Sequence, residues 1–409
     1  MTPNKFVRLP WALVLATIPN SLAAEIPIDY SKVTGFASKA QLPTETPKVL
    51  WKFESPKVKN SDGSSYMIGL SEAVVAGDAL FFGDDQGKLT SLRIEDGRTH
   101  WVTDTKIRIS QKPAVDENNV YFASKAGVFA VRRESGMMLW QRSFDGGAAE
   151  GHLLPIEAKL YVSAYDGHAY AINKETGEVE WKQNIASDPP PDPPGFDRER
   201  ANFPDTAARP RGAASDGHSF FQSIFDQSRV VAVDCVTGKK LWSFQSRGWI
   251  GPAPTVAGGN VFIGSQDDHM YCLNKDNGRV VWKFKTGSRI SSRAAVIDES
   301  VIFPSCDGWL YRVSIMSGNV VWRFQTTPAQ KKRTSIYSFP IVTDELVYFA
   351  AGEGQVYAID LKSGRLVWKL RPSKGSELYT DIATNGKRLF VTSRQRDGKG
   401  ECAIIAIGQ

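Results

Sequence analysis

Cysteine is scarce in this chain and nowhere grouped. Four residues, Cys235, Cys272, Cys306 and Cys402, are spread over 409 positions, none adjacent and none in a CxxC or CxxCH spacing. Thiolate metal clusters, c-type haem attachment and thioredoxin-like exchange are thereby excluded. The four are expected to be small apolar side chains on buried strands. The five histidines, His100, His152, His168, His218 and His269, show no ligand spacing, so no metal site is read from them. No Ser/His/Asp set stands out from the background of those residues. No apolar run is long enough to span a bilayer. There is no basic helix and no RNA-binding sheet motif, so nucleic acid is not an expected partner.

What is present is an ordinary globular composition, 42% hydrophobic and 23% charged, with 35 glycines and 22 prolines. That much glycine and proline suits many short strands joined by tight turns. The net charge is 50 − 44 = +6, a mild basic excess that favours acidic partners weakly.

Residues 1–24 have the form of a secretory signal peptide. Lys5 and Arg8 supply the charge, Trp11 to Ile18 the short apolar run, and Ser21-Leu22-Ala23 the small residues of a cleavage site. The first cysteine is Cys235, far beyond that run, so no lipid anchor is expected. The expectation is an exported protein of the periplasm or cell envelope, with residues 25–48 as a linker to the domain at 49–409.

Self-similarity carries the fold. A glycine stands four residues before a tryptophan seven times: Gly97/Trp101, Gly136/Trp140, Gly177/Trp181, Gly238/Trp242, Gly278/Trp282, Gly318/Trp322 and Gly364/Trp368. Glycine suits the positive φ of a tight hairpin. A Trp on the outgoing strand can bury about 150–250 Å², an upper-bound transfer gain of roughly 4–6 kcal/mol at about 25 cal/mol/Å². Upstream lies a second series, such as Val261-Phe262-Ile263 and Val347-Tyr348-Phe349, which has eight members, ending at Leu389-Phe390-Val391. The eighth unit stops after Ala403 to Ile407 without its Gly and Trp. Val49-Leu50-Trp51-Lys52-Phe53 matches Val281-Trp282-Lys283-Phe284 and supplies the missing strand. An all-β, eight-bladed β-propeller of four-stranded antiparallel blades follows, its ring closed by the N-terminal strand carrying Trp51, with no open edge left.

Alternating strand direction puts the turns between second and third strands and the interblade connections on one face, and the Thr-Gly turns on the other. The long connections, Gln183 to Ala213 with its prolines and Gln325 to Phe339, fall on the first face, where function usually sits. Equivalent positions leading into the innermost strands carry Arg108, Arg211, Trp249, Arg289, Arg293 and Arg333. In a closed ring these converge on the axis, so a basic funnel mouth is expected to form a binding site for a protein or an anionic ligand.

The repeats resemble the PQQ-like (pyrroloquinoline-quinone-like) propeller family, whose repeat carries a Thr-Gly-x-x-x-Trp signature, as in Thr176-Gly177-Glu178-Val179-Glu180-Trp181. The resemblance covers about residues 49–408. One branch comprises eight-bladed quinoprotein dehydrogenases, which hold PQQ with calcium, several of them against a disulfide between adjacent cysteines. No adjacent pair exists here. Asp84, Asp85, Asp267, Asp268 and Asp307 lie in turns on the relevant face and are read as turn formers, not calcium ligands. The other branch, the BamB-type outer-membrane assembly scaffold, is non-catalytic and closer in size. That branch implies a monomeric binding scaffold, with no cofactor expected, in cell-envelope assembly. A quinone-dependent dehydrogenase is the alternative, and a sensory or substrate-binding module the second.

Overall fold

The computed structural model describes residues 40–59, 64–144, 153–187, 210–326, 335–378, 380–395 and 401–409. The expected signal peptide, the Pro-rich stretch 188–209 and Arg333 lie outside the described residues.

Eight antiparallel blade sheets follow one another, and within blades 1 to 7 each strand pairs with the next in sequence. Blade 1 begins at Val74–Ala76, blade 2 at Ala114–Val115, blade 3 at Leu154–Ile156 and blade 4 at Pro210–Ser215. Blades 5 to 8 begin at Thr255–Ala257, Ala295–Ile297, Ile341–Val342 and Ala383–Thr384. These innermost strands neighbour one another around the axis, and the strand of blade 8 returns to lie beside that of blade 1. Lys48–Glu54 pairs antiparallel with Ala403–Gly408 and supplies the outer strand of blade 8, so the ring closes with the N-terminal strand as the repeats require.

The core is divided among the interblade interfaces. Eight apolar clusters among the described residues each join two neighbouring sheets, as where Phe262, Met270 and Cys272 of blade 5 meet Val301, Phe303 and Tyr311 of blade 6. Second and third strands are buried on both faces, as in Leu346–Ala351, and so read as continuous apolar runs. All four cysteines are free and buried.

The Trp of each outer strand spans to the next blade. Trp51, Trp101, Trp140, Trp181, Trp242, Trp282 and Trp322 donate from Nε1 to the backbone carbonyls of Ile94, Arg133, Lys174, Cys235, Lys275, Ile315 and Leu361, at 2.7–3.0 Å. Each ring lies against the turn glycine of that next blade. These glycines have φ of 68–73°, and a Cβ on any of them would stand 2.5–3.0 Å from its nearest neighbour atoms. Glycine is therefore required twice, for its backbone conformation and for the ring above it. Before every Trp one residue is bulged out of the ladder, as between Cys272 and Leu273, and the N-terminal strand repeats the bulge between Val49 and Trp51. The bulge aims the Trp at the next blade and turns its predecessor to solvent. Val281 and Val321 are accordingly 52% and 53% exposed.

Blade 8 lacks a turn glycine, and the chain compensates with residues placed in the linker by the sequence. Pro43 O accepts from Trp368 Nε1 at 2.9 Å and from the Tyr348 hydroxyl at 3.2 Å, and Leu42 is buried beside them. The packed body therefore begins near residue 42, not 49. Two elements lie outside the repeat pattern: a hairpin of Lys57–Lys59 with Ser65–Met67, and Ser376–Glu377, which pairs with Arg394 and Gln395. The connection read as Gln183 to Ala213 is shorter, because Val179–Asn184 and Pro210–Ser215 are strands.

Candidate binding site at the axial mouth

The residues that enter the innermost strands sit at one end of the axis. There they surround a cavity of about 440 Å³ lined by Glu72, Gly251, Pro252, Ala253, Ser291, Ser292, Arg293, Tyr337 and Asp381. Its wall draws on blades 1, 5, 6, 7 and 8, always just before the inner strand. This is the face that also carries the interblade connections.

Arg293 is fixed from two sides. Its Nη2 donates to Asp381 Oδ2 at 2.9 Å, and its guanidinium stacks on the Phe339 ring at 4.5 Å. Phe339 N–H in turn donates to Asp381 Oδ1 at 2.8 Å. Burial alone would raise the Asp381 carboxyl, but Arg293, Lys112 and the Phe339 amide outweigh it and hold it below its usual value. Glu72 goes the other way. Burial, and then the negative charge of Asp381, push its carboxyl up against the opposing pull of Lys112, Arg293 and Arg394.

The expected funnel residues are partly brought together. Arg293 lines the cavity, and Arg289 reaches it through the Tyr337 hydroxyl, to which its Nη2 donates at 3.2 Å. Trp249 and Arg211 meet on the wall beside it: the Arg211 guanidinium lies over Phe225 at 5.3 Å, and Phe225 meets Trp249 at 4.8 Å. Phe225 abuts Gly251, at the cavity edge. Arg108 stands apart, its Nε paired with Asp85 Oδ1 at 2.6 Å on blade 1. Three carboxylates, Asp85, Asp381 and Glu72, accompany the arginines at the mouth, and two of them pair with Arg108 and Arg293. Those carboxylates precede or follow no motif, which is why sequence reasoning missed Glu72 and Asp381.

The turn carboxylates are committed to the fold. Asp84 Oδ1 accepts from the Gln86 and Lys88 amides at 2.9 and 2.8 Å. Asp267 and Asp307 each accept from a tyrosine hydroxyl on the following strand, Tyr271 and Tyr311, both at 2.7 Å. Among the described residues no group of three or more His, Cys, Asp or Glu is placed to hold a metal ion. The described lining of the axial cavity offers two carboxylates, Glu72 and Asp381, the second already paired with Arg293, which is fewer free oxygen ligands than a calcium-held quinone needs.

A family model described as outer membrane protein assembly factor BamB matches residues 40–190 and 226–395. Outer membrane protein assembly factor BamB of Yersinia pestis is 26% identical over 242 residues, 57% of this chain and 58% of that protein. The chain spans about half the length of the curated relatives it matches. Among solved structures, BamB from Moraxella catarrhalis superposes with a TM-score of 0.64 at 13% identity, covering 88% of this chain and 98% of that one. A europium-containing methanol dehydrogenase superposes at 0.67 and 13% identity, over 90% of this chain and 88% of the other. At such identities both likenesses concern the fold alone.

Proposed function

The chain belongs to the family of the outer membrane protein assembly factor BamB, and from that premise we propose that it is an exported, non-catalytic scaffold that holds a protein partner in cell-envelope assembly. The carrying observation is the family match over most of the ring, on both sides of residues 191–225. The contact surface in this reading is the face bearing the interblade connections, with Trp249, Arg211 and Arg289 around the mouth and Arg108 further out. Export through the leader at 1–24 and a monomeric ring belong to the same proposal. An anionic ligand on the rim arginines is compatible with it, since guanidinium groups suit carboxylate and phosphate.

The methanol dehydrogenase likeness favours no second reading. At 13% identity it concerns the fold alone, and Asp84, Asp267 and Asp307 spend oxygens on amides and tyrosine hydroxyls.

The test is photo-crosslinking in cells. A crosslinker at position 249 or 289 is expected to trap one defined envelope protein, and a crosslinker at 239 or 240, on the Thr-Gly face, to trap none. Adducts from the Thr-Gly face alone would overturn the placement. Because rim charges act mainly on encounter, partner association is expected to slow as salt rises.

A further inference from the structure

The cavity at the axis has a chemistry different from that of its rim. Its lining charges are Arg293, Asp381 and Glu72. The first two satisfy each other at 2.9 Å, and their side chains are 13% and 14% exposed. Phe339 closes the set, beneath the guanidinium and through its amide on Asp381. Glu72 remains. Among the described residues its carboxylate has no hydrogen-bond or ion-pair partner, only the longer-range influence of Asp381, Lys112, Arg293 and Arg394. Lys112 and Arg394 lie outside the lining. An anion entering the cavity would meet two carboxylates. A cation would meet Glu72, with the hydroxyl oxygens of Ser291 and Ser292 in the lining to accept its remaining N–H groups.

We propose that the axial cavity is a binding site for an alkyl-ammonium or guanidinium group, which completes the Glu72 carboxylate. The site rests on the reading of this face as the contact surface but makes its own chemical demand. The same head group occurs on free small amines and on lysine or arginine side chains of a polypeptide. A cavity of about 440 Å³ has room for such a chain and its stem. The hydroxyls around it favour a hydrogen-bonding head over an apolar one. Binding also relieves what the empty carboxylate costs, because a cation at hydrogen-bond distance stabilises the ionised form that burial disfavours.

The test uses small probes and no partner protein, so a failure of the crosslinking experiment leaves its result intact. Calorimetry at low salt compares cadaverine, the peptide acetyl-Gly-Gly-Lys-Gly-Gly-amide, and the same peptide with norleucine or glutamate in place of lysine. The amine and the lysine peptide are expected to bind, and the norleucine and glutamate peptides to give no heat. Tighter binding of the peptide than of cadaverine assigns the polypeptide source, and the reverse order the free amine. Glu72→Gln is expected to weaken binding about 10- to 100-fold, the scale of a hydrogen bond to a charged group. Affinity should fall with pH as Glu72 takes up its proton, and Glu72→Gln should abolish that fall. Ser291→Trp fills the cavity without changing its charge and is expected to remove binding. The proposal is overturned if cationic probes do not bind at millimolar concentration, if Glu72→Gln binds them as tightly as the native chain, or if Ser291→Trp leaves binding intact.

Discussion

The rim of the ring and its mouth use equivalent positions in opposite ways. At the rim, one device occurs eight times. A bulged strand turns a Trp onto the next blade, where its Nε1 meets a carbonyl. At the mouth, the same step before each inner strand carries Arg293 in blade 6, Tyr337 and Phe339 in blade 7, Asp381 in blade 8 and Glu72 in blade 1. The difference teaches which residues the fold demands. Every interblade interface needs the same lock, so the rim repeats. Nothing in ring closure needs a given side chain at the mouth, so those positions are open to binding.

Removing residues through Phe53 breaks the rim most severely. The truncation takes away the outer strand of blade 8, Trp51, and the Pro43 carbonyl that receives Trp368. Its cost should exceed the roughly 3–5 kcal/mol of a single large aromatic truncation, so size-exclusion chromatography and melting should show aggregation and no cooperative transition. Removing only residues 1–39 should leave the melting curve of the ring unchanged. Similar behaviour of the two truncations would contradict closure by the N-terminal strand.

One lock at a time gives the next largest effect. Trp322→Ala is expected to cost about 3–5 kcal/mol in chemical unfolding. Gly364, whose Cβ would come within 2.8 Å of the Trp322 ring, has φ of 68°. Gly364→Ala should cost more than the roughly 1–2 kcal/mol of a left-handed backbone alone, and the excess should disappear in the Trp322→Ala background. Additive losses would mean that the ring and the glycine are not one device.

The mouth should respond weakly and with a pH signature. Glu72 is raised in the folded state, so its contribution is fully present below the unfolded carboxyl value of about 4.3 and is lost as pH rises through the folded one. Glu72→Gln, which never ionises, should therefore be more stable than the native chain at neutral pH and lose that advantage towards pH 4. Asp381, lowered in the fold, has the opposite sign, and its contribution is lost as pH falls. Urea melts at pH 4, 5.5 and 7.5 separate the two; an advantage that grows on acidification would contradict the Glu72 assignment. Smallest of all is Arg108→Ala. Its partner pair is 64% and 36% exposed, so about 0.2–1 kcal/mol is at stake.

Sequence alone determined the eight blades, the closure through Trp51 and the face that carries the long connections. These follow from short-range constraints repeated at one spacing: a positive φ at glycine, a large ring four residues on, and apolar strands buried on both sides. The tertiary structure alone decided what lies at the axis. Glu72 and Asp381 are more than 300 positions apart and carry no local pattern, and only ring closure places both at one cavity. The same closure gave Arg293 an acidic partner and Arg108 a different one. Charge pairing across a ring depends on distance in space, and one-dimensional periodicity carries no information about it.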